Sequence, residues 1–223
     1  MSENNQKPGL LISFEGAEGS GKTTQIEMLV PKIEALGRDV VVTREPGGSA
    51  IGEEIRHLLI RTNGSEEMFP ETELLLFAAS RAQLVREVLV PNLKAGKIVL
   101  CDRFLDSTTV YQGVARSLAQ DPVEQINKFA VGDVTPDLTF ILDVPAEVSI
   151  KRVKHRATDL PDRIEQENID FYRIVREGYL WLAKSMPERF HVIDATKSPA
   201  KVHQEVWKTV KKLLKAVEEP VQS

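Results

Sequence analysis

The chain has 223 residues, 42% apolar and 28% charged, which is enough to bury a core without disulfides. Its net charge of −4 argues against nucleic acid or an anionic membrane as partner, and no apolar run is long enough to span a bilayer. The single cysteine, Cys101, excludes an internal disulfide, and a reducing compartment is the plain expectation.

Residues 1–8 are polar and lack the apolar centre of a leader or anchor; a frayed tail is expected there, followed by one domain over 9–223. The apolar run 10–14 then feeds a glycine-rich turn that ends in Lys22-Thr23-Thr24. Gly16, Gly21, Lys22 and Thr23 occupy the fixed positions of G-x-x-x-x-G-K-[ST], with Ala17, Glu18, Gly19 and Ser20 between. Glycines let successive backbone N–H groups converge on one phosphate, and the helix that follows adds its positive end. Lys22 can reach β- and γ-phosphates, and the Thr23 hydroxyl can bind Mg²⁺. Glu15, between strand and loop, is an awkward charge beside a triphosphate unless something offsets it, and Glu18 is expected to point to solvent.

Apolar residues at helical spacing predict a helix over 22–36, with Pro31 distorting it, and Gly37 ends it. A strand at 38–43 leads into Arg44-Glu45-Pro46-Gly47-Gly48, a turn at the end of a strand where α/β sheets bind ligands. A helix to residue 60 and a polar loop over 61–68 follow. The stretch 70–93 reads as mostly helical, interrupted by Pro91, with Leu75, Ala79, Leu84 and Val88 as candidate core. Near 74–79 it is apolar around much of its girth, which predicts burial on two sides, against a second layer or a subunit interface. Arg81 in that setting needs a carboxylate or phosphate partner, and Phe77 one turn earlier can stack on a planar ligand.

A strand over 97–101 ends at Asp102-Arg103, and short helices are expected at 106–111 and 122–131. If this strand neighbours the first, Asp102 can join Thr23 around Mg²⁺ and Arg103 can clamp a phosphate. Asp143, after the apolar strand run 137–144, competes for the metal role. A helix to 153, a basic segment over 151–163, a long helix over 163–184, a strand at 189–193 and a helix over 199–217 complete the chain. The scattered histidines have no metal-site spacing. Short β-branched strands alternating with helices predict a three-layer α/β/α P-loop NTPase fold around a five-stranded parallel sheet.

Five runs occur in order: FEGAEGSGKTTQ (14–25), TREPGG (43–48), FAASRAQ (77–83), DRFLDST with YQG (102–113), and DRIEQE (162–167). Together they resemble bacterial thymidylate kinases over nearly the whole chain. The resemblance implies transfer of the ATP γ-phosphoryl to dTMP, with Mg²⁺, in a cytoplasmic homodimer. It implies that Phe77 stacks on thymine, Arg81 hydrogen-bonds the base, and Pro46 lies near it. Thr108 and Thr109 fall at polar contacts to the base, and Tyr111 crowds the sugar 2′ position. Arg44 and Arg103 serve the monophosphate, with Glu15 near the acceptor phosphate and sugar. The phosphate loop carries no arginine, whereas the lid segment, about 151–163, carries Arg152 and Arg156. That resembles the lid-arginine type, with Arg156 on the transferring group and Arg152 nearer adenine, while Lys154 stands where an arginine is common. A kinase for another monophosphate or a deoxynucleoside, or a nucleotide-gated binding module, are the rival readings. No N-K-x-D run supports a GTPase.

Overall fold

The computed structural model describes residues 8–60, 68–116, 118–156 and 163–218. Most of the expected tail, loop 61–67 and residues 157–162 of the expected lid lie outside the described residues, as does the side chain of Arg156.

Five strands form one parallel sheet: β1 (Leu10–Glu15), β2 (Val40–Arg44), β3 (Ile98–Asp102), β4 (Leu138–Asp143) and β5 (Phe190–Asp194), in the order β2-β3-β1-β4-β5. The inner strands β1, β3 and β4 are buried almost throughout, as continuous apolar runs in a sheet covered on both faces require. On one face, Ile26, Leu29 and Ile33 of α1 (Lys22–Glu34) pack with Leu10, Ile12, Phe14 and Phe140. The last helix, Pro199–Glu218, joins them through Val202, Val206, Val210 and Leu214. The chain therefore has the three-layer α/β/α fold expected of it.

The connections carry the remaining helices in order: α2 (Ala50–Ile60), α3 (Pro70–Leu84), α4 (Val90–Lys94), α5 (Leu105–Thr108), α6 (Gln120–Val131), α7 (Ala146–Arg156), α8 (Ile169–Ser185) and α9 (Pro199–Glu218). The expected break near Pro91 takes another form. The helix widens into a π segment, Val85–Leu89, just upstream, and so stays continuous past a residue that has no N–H to donate. A second π segment, Thr109–Ala115, extends α5. The long helix expected from 163 begins only at Ile169, because Asn168 caps it by accepting from the Phe171 N–H at 3.0 Å. Leu75, expected in the core, is 57% exposed, and Ala79 is exposed beside it. The apolar girth of α3 thus faces outward on one side.

A buried polar cluster ties α5 to the sheet. Arg189 donates to both oxygens of Asp106, at 2.7 and 2.8 Å, and to Thr139 Oγ1 at 3.2 Å, which pairs with Ser13 Oγ at 2.7 Å. Replacing Asp106 with alanine strands Arg189 in a largely buried position, and we expect a loss of about 3 kcal/mol or more in urea unfolding. A loss below about 1 kcal/mol would mean that solvent already reaches the pair.

Candidate active site

The phosphate loop leaves the central strand and turns into α1. Gly16 has φ 134°, and a Cβ there would lie 2.6 Å from the Leu142 carbonyl oxygen. Gly21, with φ 97°, occupies the N-cap of α1 in the left-handed region. Both positions need glycine. Lys22 is buried and donates to the carbonyls of Gly16 at 3.1 Å and Ala17 at 3.2 Å. Burial, then the nearby positive charge of Arg103, lowers its ammonium pKa to about 8. Thr24 is exposed on the first turn of α1, and Ser20 is buried beneath the loop.

Because β3 is the immediate neighbour of β1, Asp102 stands level with Phe14. The Thr23 hydroxyl donates to Asp102 Oδ2 at 2.8 Å. Asp143 lies on the other side of β1 and is gripped by Arg176 through two bonds, at 2.6 and 2.9 Å. Of the two candidate aspartates, only Asp102 meets Thr23. A hydroxyl and a carboxylate oxygen at the start of a helix suit a hard cation that keeps most of its waters. Among the described residues, no group of three or more His, Cys, Asp or Glu could cage a metal.

Arg103 follows with φ 70°, a left-handed backbone for a non-glycine residue. Its guanidinium meets Glu18 Oε1 at 2.6 Å and lies over the Tyr111 ring, 5.2 Å from the centroid. Tyr111 itself donates to Glu18, with contacts of 3.0 and 2.9 Å. Glu18 therefore turns inward, against the expectation that it faces solvent, because two buried donors compensate its charge. Only the distance in sequence, 85 and 93 residues, hid that arrangement.

Glu15 is 0% exposed and sits behind the cleft surface. It accepts from the Phe104 N–H at 2.8 Å, Ser107 Oγ at 2.6 Å and Tyr179 OH at 2.8 Å. Burial, then the charge of Asp106, raises its carboxyl pKa to about 7. Glu15, expected near the acceptor, is thus buried behind Ser107, Tyr179 and Phe104 and does not line the cleft.

Arg81 finds the carboxylate partner its apolar setting demanded. Nε and Nη2 donate to Glu45 Oε2 at 2.8 and 2.6 Å, and Nη1 donates to Asn127 Oδ1 at 2.8 Å. Burial raises the Glu45 pKa against the opposing pull of Arg81. Phe77 is half-buried one turn before Arg81, and Pro46 is buried, its carbonyl accepting from Arg56 at 3.0 Å. Thr108 is fully buried with no partner for its hydroxyl among the described residues, while Thr109 turns inward to the Leu105 carbonyl at 3.4 Å. Arg44 is exposed at the end of β2 and pairs with Glu53 at 3.0 Å.

A cleft of about 1130 Å³ brings the phosphate loop together with Asp102, Arg103 and Arg44, while Pro46, Phe77, Arg81, Thr108, Thr109 and Tyr111 are not among its lining residues. Lys22, Thr23, Asp102 and Arg103 line its middle, and Arg44, Glu53 and Arg56 one end. At the other end stand Arg152, Ala195 and Pro199. Arg152 reaches the Gly19 carbonyl at 3.3 Å and the Ala195 carbonyl at 3.0 Å, which fastens α7 to the phosphate loop. Cationic groups thus stand on both sides of a central helix N-terminus, an arrangement that suits two phosphate-bearing molecules end to end.

The thymidylate kinase family model matches residues 14–206. A thymidylate kinase from Kosmotoga olearia is 49% identical, the match covering 89% of this chain and 94% of that protein. One from Pelotomaculum thermopropionicum is 47% identical, over 93% of this chain and 95% of that one. The crystal structure of a thymidylate kinase from Ehrlichia chaffeensis superposes with a TM-score of 0.75 at 36% identity, covering 91% of this chain and 99% of that one. By sequence and by fold, the chain belongs to the thymidylate kinase family.

Proposed function

We propose that the protein transfers the γ-phosphoryl group of ATP to dTMP, giving dTDP and ADP, with Mg²⁺ as cofactor. The observation that carries this reading is the single cleft in which the phosphate loop and the Thr23–Asp102 pair stand beside Arg103 and Arg44. In this reading the loop N–H groups, from Gly16 through Thr24, and Lys22 hold the ATP phosphates, and Arg152 borders the adenine end. Thr23 and Asp102 would hold Mg²⁺, which would supply positive charge against that of the phosphates.

Arg103, fixed by Glu18 and the face of Tyr111, aims the acceptor phosphate in line with the γ-phosphoryl group. A phosphate oxygen is already anionic, so the acceptor needs no strong general base. Phe77 stacks on thymine, with Pro46, Thr108 and Thr109 around the base and Tyr111 beside the sugar. Arg81 spends four of its N–H groups on Glu45, Asn127 and the Phe104 carbonyl, which leaves one at Nη1 for a base carbonyl. Arg156 offsets the charge that develops on the transferring group.

The net charge is −4, and among the described residues no helix is long and apolar enough to cross a bilayer. The buried thiol Cys101 suits a reducing cytoplasm. A homodimer is the assembly we favour, since Leu75 of α3 is 57% exposed and Phe129 of α6, which packs against α3, is 81% exposed.

A coupled assay of ADP release, offering dTMP, dUMP, dCMP, dGMP, AMP and UMP separately, is expected to give turnover mainly with dTMP and weakly with dUMP. Preference for another monophosphate would keep the phosphate chemistry and overturn the acceptor. Binding of ATP without turnover would favour a non-catalytic module. Asp102→Asn should lower kcat about 100-fold and raise the Mg²⁺ concentration needed, while Arg156→Ala should lower kcat roughly 1000-fold with little change in ATP affinity. An Arg156→Ala enzyme within about twofold of wild type would remove that residue from the transfer step. In sedimentation experiments Leu75→Glu should shift the mass from dimer to monomer; an unchanged dimer would place the interface elsewhere.

A further inference from the structure

Arg103 can orient a phosphate only if its own guanidinium is held still, and its surroundings raise a question of proton direction. An arginine has five donors and no acceptor, so every oxygen it touches must present a lone pair. Glu18 does so as a carboxylate at 2.6 Å. The other contacts of Arg103 are hydroxyls, Ser107 Oγ at 3.3 Å and Tyr179 OH at 3.2 Å, both from Nη1. A hydroxyl carries one proton that can point either way. Something must draw both protons away from the arginine.

Glu15 Oε2 lies 2.6 Å from Ser107 Oγ and 2.8 Å from Tyr179 OH, and both hydroxyls donate to it. Its other oxygen accepts from the Phe104 N–H at 2.8 Å, and the Arg103 N–H donates to the Phe14 carbonyl at 3.0 Å. The backbone of Arg103, at φ 70°, is therefore pinned on either side by β1. Glu15 itself is 0% exposed and cannot touch a molecule in the cleft.

We infer that Glu15 is a positioning residue for Arg103: it takes the protons of Ser107 and Tyr179, so that both hydroxyls turn lone pairs toward the guanidinium. The inference rests on the reading of Arg103 as the acceptor-phosphate clamp. Glutamine at position 15 has nearly the same shape, and its carbonyl still accepts from Phe104. Its amide nitrogen, however, can only donate toward Ser107 and Tyr179, which drives their protons toward Arg103. The charge clamp then loosens while the packing stays.

The test is calorimetric binding of dTMP and of thymidine, which lacks the phosphate, to the full chain and its variants. Glu15→Gln is expected to weaken dTMP roughly tenfold and to leave thymidine within about twofold, because only the phosphate contact depends on Arg103. In a Ser107→Ala, Tyr179→Phe background the same substitution should add less than about twofold, since the hydroxyls that relay it are gone. Equal weakening of dTMP and thymidine would mark Glu15 as merely structural. An undiminished effect in the hydroxyl-free background, or no effect on dTMP at all, would equally overturn the inference. Should Glu15→Gln fail to fold, the double variant decides alone: it must weaken dTMP and spare thymidine. A wild type that prefers another monophosphate overturns only the acceptor reading, and the comparison then runs with that nucleotide and its nucleoside.

Discussion

The site depends on the pairing of β1 with β3. Parallel neighbours lie about 4.8 Å apart, so Asp102, level with Phe14, is delivered to the first turn of α1 without any loop having to reach. The phosphate loop departs one strand end and Asp102-Arg103 the other, and the Arg103 N–H closes the gap by donating to Phe14. On the opposite side of β1 it is Phe140 of β4 that stands level with Phe14, so Asp143 lies three residues further along its strand, where Arg176 occupies both of its oxygens. Sheet order therefore does more than arrange strands; it decides which of two similar aspartates is free to face Thr23.

What the sequence made legible was what depends on neighbours along the chain. The phosphate loop is a local device: its glycines and lysine need only a strand before and a helix after. The five strands likewise announce themselves as short apolar runs. The π segments were hidden because widening a helix by one residue leaves its apolar pattern almost intact. The start of α8 is hidden because residues 163–168 carry no strong breaker, and only the Asn168 side chain on the Phe171 N–H fixes it. The inward turn of Glu18 is hidden for a different reason: a carboxylate in a loop looks solvated until Arg103 and Tyr111 are brought against it.

The same logic separates the buried charges. Arg81 could be seen to need a partner, since an arginine amid alanines cannot stay unpaired. Which partner could not be seen, because Glu45 lies 36 residues away at the end of another strand. Among the described residues Glu45 has no partner for its second oxygen, and burial raises its pKa, so the pair is not an economical way to stabilise a core. An apolar pair of equal volume would serve stability as well. What the arrangement does achieve is rigidity, since Glu45, Asn127 and the Phe104 carbonyl together hold the Arg81 guanidinium in one place.

Lys22 shows how such strain can favour binding. Burial and the nearby Arg103 charge both act against its ammonium form, which is why its pKa falls to about 8. A phosphate between the two cations would oppose the second of these directly. Protonation of Lys22 and binding of an anionic phosphate therefore favour each other, by the reciprocity that governs any two linked equilibria. The cost of holding two cations close together in the apo protein is thereby recovered when the anion arrives. Arg103, with its planar fork already fixed by Glu18 and by hydroxyls that Glu15 orients, cannot move aside to relieve the repulsion. The rigidity of one cation is what makes the other respond to the ligand.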